Sequence, residues 1–209
     1  MQQRVRRFLT KQFGNPSGFL GTLIGRRMAN GNFFDAQWTI SLLNIQPHDR
    51  VLEIGFGPGV STQLASDKAS KGFVAGIDHS RAMVQAATRR NAKAIQARRL
   101  ELKLGEADSL TYPDQSFDTV FSLHSIYFWP KPVECLREIK RVLKPGGLLG
   151  ITILPRDQWT ANVDMSIMTL YFGSEVVTFF SAAVYRNVHV EVSPPKEAGA
   201  TLECILGIK

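Results

Sequence analysis

Residues 51–59 read Val-Leu-Glu-Ile-Gly-Phe-Gly-Pro-Gly, a short, largely apolar run that leads into three glycines at alternate positions. The run is typical of a β-strand, and the residues after Gly59 are typical of a helix. Glycine allows a tight turn and lets a ligand lie against the backbone, because it has no Cβ. At the carboxyl end of a strand in an open α/β sheet, such a turn lies in the ligand crevice. The segment therefore predicts a binding loop in an α/β fold.

The chain around this loop alternates between short apolar runs and amphipathic stretches. Further strands are predicted at residues 73–77, 100–104, 117–123 and 148–154, and helices at 33–44, 82–98 with a break near Asn91, and 133–143 with a stop at 144–147. Two last strands, 188–192 and 201–208, have no long helix between them, which indicates an antiparallel hairpin. Apolar strands separated by helices indicate a mostly parallel sheet covered on both faces. We therefore expect an α/β fold with a Rossmann-like, doubly wound sheet of about seven strands, mostly parallel with an antiparallel C-terminal hairpin.

The composition is that of an ordinary globular domain with excess positive charge, 209 residues and a net charge of +7. The positive charge is concentrated in residues 1–34 and in the run from Arg89 to Lys103. Such runs can steer nucleic acid, an anionic membrane surface or an anionic substrate, or they can be solvated helix faces. The two cysteines cannot form a disulfide framework, which indicates a reducing, cytoplasmic setting. The most apolar stretches, such as 148–154, are too short to span a bilayer.

Two acidic residues indicate which ligand the glycine loop accepts. Glu53 lies two residues before the first glycine, where a carboxylate would repel a pyrophosphate but attract a ligand with an ammonium and a sulfonium group. In addition, Val60 stands where a dinucleotide-binding loop has its third glycine. Asp78 ends the second predicted strand, where an acid can accept hydrogen bonds from ribose hydroxyls. The combination favours S-adenosylmethionine over a nicotinamide or flavin dinucleotide.

With these features, the sequence resembles the class I S-adenosylmethionine-dependent methyltransferases. It is most similar to the small-molecule subgroup that includes the ubiquinone and menaquinone C-methylases. The segment 53–59 and Asp78 match the family's cofactor motifs, and residues 105–118 and 136–147 resemble the segments after its third strand and before its fifth. The family usually has aspartate where Glu106 stands. The resemblance implies an enzyme that moves a methyl group to a small acceptor and leaves S-adenosylhomocysteine.

The resemblance also assigns site residues. It implies that the glycine loop surrounds the methionine end of the cofactor, Asp78 the ribose, and Glu106 with Ala107 the adenine. The predicted cofactor-binding residues are Glu53, Gly55, Phe56, Gly57, Gly59, Asp78, His79, Glu106, Ala107, Leu123 and His124. No metal site is predicted, because His124 and Ser125 offer no acidic cluster at the acceptor.

Four side chains after the fourth strand are candidates for the acceptor side of the site. His124 is the candidate catalytic base, because histidine as a residue type exchanges a proton near neutral pH, although it can equally orient the cofactor or only line the pocket. Tyr127, Phe128 and Trp129 are predicted to form an aromatic wall for the acceptor, with packing between loop and sheet as the alternative.

We expect a single methyltransferase domain over residues 1–209. Residues 1–44, which include Phe13 and Phe19, are expected to form an N-terminal helical lid. Residues 45–154 are the expected cofactor-binding core, 155–187 a substrate cap and 188–209 the closing strands.

Two other functions remain open at this point. The basic runs would suit an RNA- or ribosome-directed methyltransferase, but residues 124–127, His-Ser-Ile-Tyr, lack the Asn/Asp-Pro-Pro-aromatic motif of many nucleic-acid amino-methyltransferases. A small-molecule acceptor is therefore preferred to nucleic acid. The third hypothesis is a non-catalytic interaction protein that keeps the cofactor site. The sequence names neither the acceptor nor an oligomeric state.

Overall fold

The computed structural model describes residues 10, 32–159, 164, 166–196 and 199–209 of the chain. Most of the expected N-terminal lid, residues 1–44, lies outside these residues, and so do Phe13 and Phe19. Its described part is essentially one helix, Phe33–Leu42. None of the helices in the described ranges has both the length and the apolarity that crossing a bilayer requires.

Seven strands form one sheet in the described part of the chain. They are β1 Arg50–Ile54, β2 Phe73–Asp78, β3 Leu100–Leu104, β4 Phe117–Leu123, β5 Leu143–Ile153, β6 Arg186–Val192 and β7 Glu203–Ile208. Their order across the sheet is β3-β2-β1-β4-β5-β7-β6. The first five strands are parallel, whereas β7 runs antiparallel to both β5 and β6. This confirms the predicted fold class, and the reversal of order between β1 and β4 creates a crevice at their carboxyl ends.

Helices cover the sheet on both faces. In the described ranges they are α1 Phe33–Leu42, α2 Val60–Lys68, α3 Arg81–Arg90, α4 Ala92–Gln96, α5 Pro132–Val142 and α6 Gly173–Ala182. The predicted break at Asn91 separates α3 from α4. The Asn91 side-chain amide donates hydrogen bonds to the carbonyl oxygens of Gly59 and Ala87, both at 3.0 Å. Asn91 therefore ends one helix and ties it to the glycine loop.

The core consists of two apolar layers, one on each face of the sheet. Leu52 and Ile54 of β1 belong to the layer that contains α5 and α6, whereas Val51 belongs to the layer that contains α1 and α2. Successive side chains of a strand point to opposite faces, so a strand covered on both faces must be apolar at nearly every position. Burial of the strands on both faces therefore explains the near-continuous apolar runs in the sequence.

The boundary between α5 and β5 differs from the expectation. Helix α5 ends before Leu143, which already pairs with Phe117, so residues 144–147 form an irregular part of β5 with a register shift after that pair. In the expected cap, residues 155–187, the described helical structure is limited to α6 and one 3-10 turn, Arg156–Gln158.

Candidate functional site

A cavity of about 390 Å³ lies at the carboxyl ends of the parallel strands. Ten of the eleven predicted cofactor-binding residues line it, namely Glu53, Gly55, Phe56, Gly57, Asp78, His79, Glu106, Ala107, Leu123 and His124. Gly59 does not. Phe128 and Trp129, two of the three aromatic residues predicted for the acceptor side, also line the cavity.

The three glycines of the loop have different roles although all have positive φ. Gly55, Gly57 and Gly59 have φ values of 75°, 52° and 79°. A Cβ on Gly59 would lie 2.7 Å from the side chains of both Ala87 and Asn91, so this glycine allows α3 to pack against the loop. A Cβ on Gly57 would meet no atom within 4 Å, so Gly57 leaves its space open at the cavity. The loop is thus packed against α3 at Gly59 and leaves space for a ligand at Gly57.

Glu53 is buried beneath the loop with 1% of its surface exposed. Ser61 Oγ donates a hydrogen bond to Glu53 Oε1, and Thr62 Oγ1 donates one to Oε2 at 2.5 Å. Both hydroxyls lie in the first turn of α2, so the carboxyl group holds the loop and the helix together. Burial raises the pKa of Glu53 to about 7, and the charge of Asp78 adds to this effect while the two hydroxyls oppose it. Glu53 therefore changes its charge near neutral pH.

Asp78 ends β2 and is held by backbone amides. Its Oδ2 accepts a hydrogen bond from the Gly57 N–H at 2.8 Å, and its Oδ1 accepts one from the Ser80 N–H at 2.8 Å. Burial raises the pKa of Asp78, although both amide bonds and the charge of His79 oppose the increase. A carboxylate oxygen has two lone pairs, so each oxygen retains one for a ribose hydroxyl. The carboxylate is therefore oriented for this contact before any ligand arrives.

His124 follows β4 in a conformation that is strained for a residue with a Cβ, with φ at 58°. Its backbone N–H donates to the Thr152 carbonyl oxygen at 3.0 Å, which fixes it at the sheet edge. Its Nε2 lies 2.8 Å from Oδ2 of Asp35, a buried residue of α1. The other carboxylate oxygen of Asp35 lies 2.6 Å from Nζ of Lys196. His124 is thus held in place by contacts of both its backbone N–H and its imidazole ring.

Asp35 and Lys196 were not predicted as site residues. Asp35 lies 89 positions before His124 and Lys196 follows β6, so only the fold brings the three together. Asp35 stands out in one respect, as an acid in the predicted helix that begins near Phe33. A lone acid among apolar residues is a weak sign, because it is equally typical of a helix N-terminus.

Tyr127 differs from its predicted role as an acceptor contact. It does not line the cavity, and only 2% of its surface is exposed. Its hydroxyl accepts a hydrogen bond from the Leu154 N–H at 2.6 Å and donates one to the Leu154 carbonyl oxygen at 3.1 Å. Tyr127 therefore ties the segment after β4 to the end of β5, and Trp129 and Phe128 occupy the cavity wall instead.

The basic run after α3 makes contacts within the fold. Arg90 Nε donates to the Pro58 carbonyl oxygen at 3.1 Å, and Arg99 Nη1 donates to the Ser66 carbonyl oxygen at 3.1 Å. Part of this run therefore supports the glycine loop and helix α2. In the ranges that the structure describes, no group of His, Cys, Asp and Glu side chains could hold a metal ion.

Comparisons with known proteins agree with this geometry. A family model described as a methyltransferase domain matches residues 52–151. An uncharacterized methyltransferase of Bacillus subtilis (strain 168) is 32% identical over 169 residues, which cover 81% of this chain and 89% of that protein. The chain belongs to the methyltransferase family. The resemblance derived from residues 53–59 and Asp78 is confirmed, and the enzyme is an S-adenosylmethionine-dependent methyltransferase.

Two further proteins show how far the similarity extends. A demethylmenaquinone methyltransferase of Listeria monocytogenes serotype 4b is 36% identical over 116 residues, 54% of this chain and 47% of that enzyme. A solved methyltransferase from Aquifex aeolicus, described as S-adenosylmethionine-dependent, shares the fold with a TM-score of 0.69 over 95% of this chain and 96% of that one, at 22% identity. This chain thus spans about half of the menaquinone enzyme, and the acceptor side of the two is not comparable from the match.

The residues of the cavity fit S-adenosylmethionine in chemistry. Two buried carboxyl groups, Glu53 and Asp78, lie beside a glycine with open space. Among the residues that the structure describes, the lysine and arginine side chains that would suit a pyrophosphate are absent from the cavity lining. A sulfonium ligand with an ammonium group and a ribose matches such a set of donors and acceptors.

Proposed function

We propose that this methyltransferase transfers the methyl group to a small acceptor that is apolar or aromatic. The observation that carries the proposal is that one cavity contains two kinds of wall. Its first wall consists of the glycine loop and the strand-end acids, and its second contains His124, Phe128 and Trp129. Aromatic faces favour planar or apolar molecules and also stabilise a cationic sulfonium.

In this proposal each cofactor contact has a defined role. The cofactor supplies an electrophilic methyl group on a sulfonium. Gly57 leaves room for the methionine end, Glu53 provides negative charge beneath it, Asp78 accepts hydrogen bonds from the ribose, and Glu106 with Ala107 borders the adenine. Methyl transfer is an in-line displacement, so positioning and exclusion of water supply much of the rate. His124 is then required only for an acceptor that must lose a proton.

Calorimetric titration with S-adenosylmethionine and with S-adenosylhomocysteine tests the cofactor half. We expect micromolar binding by the wild type and binding weakened by about tenfold or more in Asp78→Asn, because the charge-assisted hydrogen bonds to the ribose are lost. Asp114→Asn, an exposed acid far from the loop, is the control and should bind as the wild type does. Equal affinity of Asp78→Asn and the wild type would contradict the assigned role of Asp78.

Mass spectrometry of reaction mixtures tests the acceptor half, with phenols, quinones and small amines as probes. The RNA-directed alternative is tested by titration with RNA at low and high salt, because phosphate contacts make binding strongly salt-dependent. The internal contacts of Arg90 and Arg99 support the small-molecule proposal over this alternative. We also propose a cytoplasmic setting, which is supported by the buried, unpaired cysteines Cys135 and Cys204.

A further inference from the structure

Three segments that are distant in the sequence meet at the carboxylate of Asp35. Asp35 lies on α1, His124 follows β4 and Lys196 lies in the segment after β6. Oδ2 of Asp35 is 2.8 Å from His124 Nε2, and Oδ1 is 2.6 Å from Lys196 Nζ. Only 3% of the Asp35 side chain is exposed, against 17% of His124 and 28% of Lys196. The carboxylate is the buried centre of the cluster.

Such a carboxylate needs partners to remain charged. Removing an isolated charge from water is unfavourable unless hydrogen bonds and opposite charges compensate. Burial alone raises the pKa of Asp35, but hydrogen bonds and charges from His124 and Lys196 lower it more, and the net pKa is below its ordinary value. Asp35 is therefore ionised at neutral pH. An ionised carboxylate only accepts hydrogen bonds, so His124 Nε2 must carry the hydrogen between them.

The second ring nitrogen of His124 is in a different position. Among the described residues, its hydrogen-bond contact is with the Tyr127 hydroxyl at 3.4 Å, near the upper limit for a hydrogen bond. That hydroxyl already donates to the Leu154 carbonyl oxygen and accepts from the Leu154 N–H. Tyr127 therefore has no second hydrogen to donate to Nδ1. A neutral His124 ring keeps its basic lone pair on Nδ1.

We propose that Asp35 is a positioning residue that holds His124 as the Nε2–H tautomer, and that the resulting Nδ1 base selects acceptors with a hydroxyl group that must lose its proton. This inference rests on the proposed small-molecule function. In the reaction, the acceptor oxygen bonds to the methyl carbon as the bond between that carbon and sulfur breaks. The bonding pair stays with sulfur, and the proton of the acceptor passes to Nδ1. Asp35 then balances the charge of the imidazolium.

The preference for a hydroxyl follows from the chemistry of the two acceptor classes. A neutral amine attacks with its own lone pair and loses its proton afterwards, so it gains little from a base. A phenol or enol is a weak nucleophile until its proton leaves, and a positioned base contributes about 10²-fold or more to such a step. Lys196 contributes indirectly, because it pairs the second oxygen of Asp35 and so keeps the carboxylate ionised and fixed.

The tautomer is measured without any acceptor. Two-bond ¹H–¹⁵N correlation spectra of ¹⁵N-histidine protein, free and with S-adenosylhomocysteine, show which nitrogen of each neutral ring carries hydrogen, and His124→Gln assigns the signal. We expect Nε2–H for His124 in the wild type and a shift of population toward Nδ1–H in Asp35→Asn, whose amide can donate to Nε2. A wild-type signal with hydrogen on Nδ1 would overturn the inference even if the variant did not fold.

Kinetics with a phenol panel and an amine panel test the catalytic consequence. For phenols we expect Asp35→Asn to lower kcat by about a hundredfold, since the base is lost, with the KM for S-adenosylmethionine within about twofold. Asp67→Asn, an exposed aspartate on α2, is the matched control and should behave as the wild type. A folded Asp35→Asn with unchanged kcat for phenols, or wild-type turnover of amines only, would refute the inference. Failure of the proposed function itself is distinguished by an absence of turnover with both panels, whichever tautomer the spectra show.

Discussion

Glu53→Gln should make the folded methyltransferase more stable at pH 8 than the wild type, although it removes a group of the predicted cofactor site. The carboxyl group is buried, and it is bonded to the hydroxyls of Ser61 and Thr62 rather than to a cation. Glutamine has nearly the same shape. Its amide oxygen accepts from one hydroxyl and its NH₂ donates to the oxygen of the other, so the link to α2 is kept.

The sign follows from the raised pKa of Glu53, which is about 7 in the folded protein against an ordinary value of 4.5. Below pH 4.5 the group is protonated in both states, and its titration costs nothing. Between these pH values the unfolded chain releases the proton while the folded protein keeps it, so the free energy of unfolding falls as the pH rises. Above pH 7 the full loss of about 3 kcal/mol applies, since each pKa unit corresponds to about 1.4 kcal/mol.

Urea unfolding of both proteins at pH 5 and pH 8, followed by circular dichroism, measures this effect. The stability of Glu53→Gln relative to the wild type should increase by about 2–3 kcal/mol between the two pH values. Other groups also titrate in this range, but they are common to both proteins and cancel in the difference. Glu134→Gln, at an exposed residue of α5, should show no such increase. If the difference in free energy of unfolding between Glu53→Gln and the wild type were the same at both pH values, the raised pKa of the Glu53 carboxyl group would be refuted.

Two further substitutions separate packing from ligand binding. Gly59→Ala should lower stability by about 1–3 kcal/mol, because the new Cβ meets Ala87 and Asn91 at 2.7 Å and the backbone has positive φ, and thermal unfolding measures this loss. Tyr127→Phe should also lower stability by about 1–3 kcal/mol, because the Leu154 N–H loses its partner, whereas the Leu154 carbonyl oxygen keeps its hydrogen bond from Trp159 Nε1. For Tyr127→Phe, calorimetry should show cofactor affinity near that of the wild type. A loss of cofactor binding with unchanged stability would instead indicate that Tyr127 contacts a ligand in the cavity.

The sequence was sufficient for the fold because its signals are local. A glycine loop after an apolar strand, a helix break at Asn91 and an acid at the end of β2 each act within a few residues of the chain, and each is found where it was expected. The boundary at Leu143 was missed because its strand pairing with Phe117 overrides the turn preference of Pro-Gly-Gly. Local preference decides the type of an element, whereas pairing across the sheet decides where it begins.

The acceptor side of the site was less predictable because its contacts are long-range. Tyr127 was chosen from its proximity in sequence to His124, but the 3-10 turn at 126–128 directs its hydroxyl to Leu154 and leaves Phe128 at the cavity. Asp35 reaches His124 only because α1 packs beside the end of β4. Side-chain direction in a short turn and contacts over 89 positions have no periodic signature in a sequence.

The two ends of the cavity treat their acids in opposite ways, which bears on function. Asp35 is paired with His124 and Lys196, so its pKa is lowered and its charge stabilises the fold at neutral pH. Burial raises the pKa of Glu53, whose partners in the described part of the chain are hydroxyls and not a cation, so its charge destabilises the fold above pH 7. A protein retains such a destabilising charge where ligand binding compensates for it, because a cation that binds only the folded state stabilises that state by mass action. Glu53, which pairs with no cation among the described residues, therefore lies where the cationic cofactor is expected. Asp35, which pairs with Lys196, holds the proposed base His124.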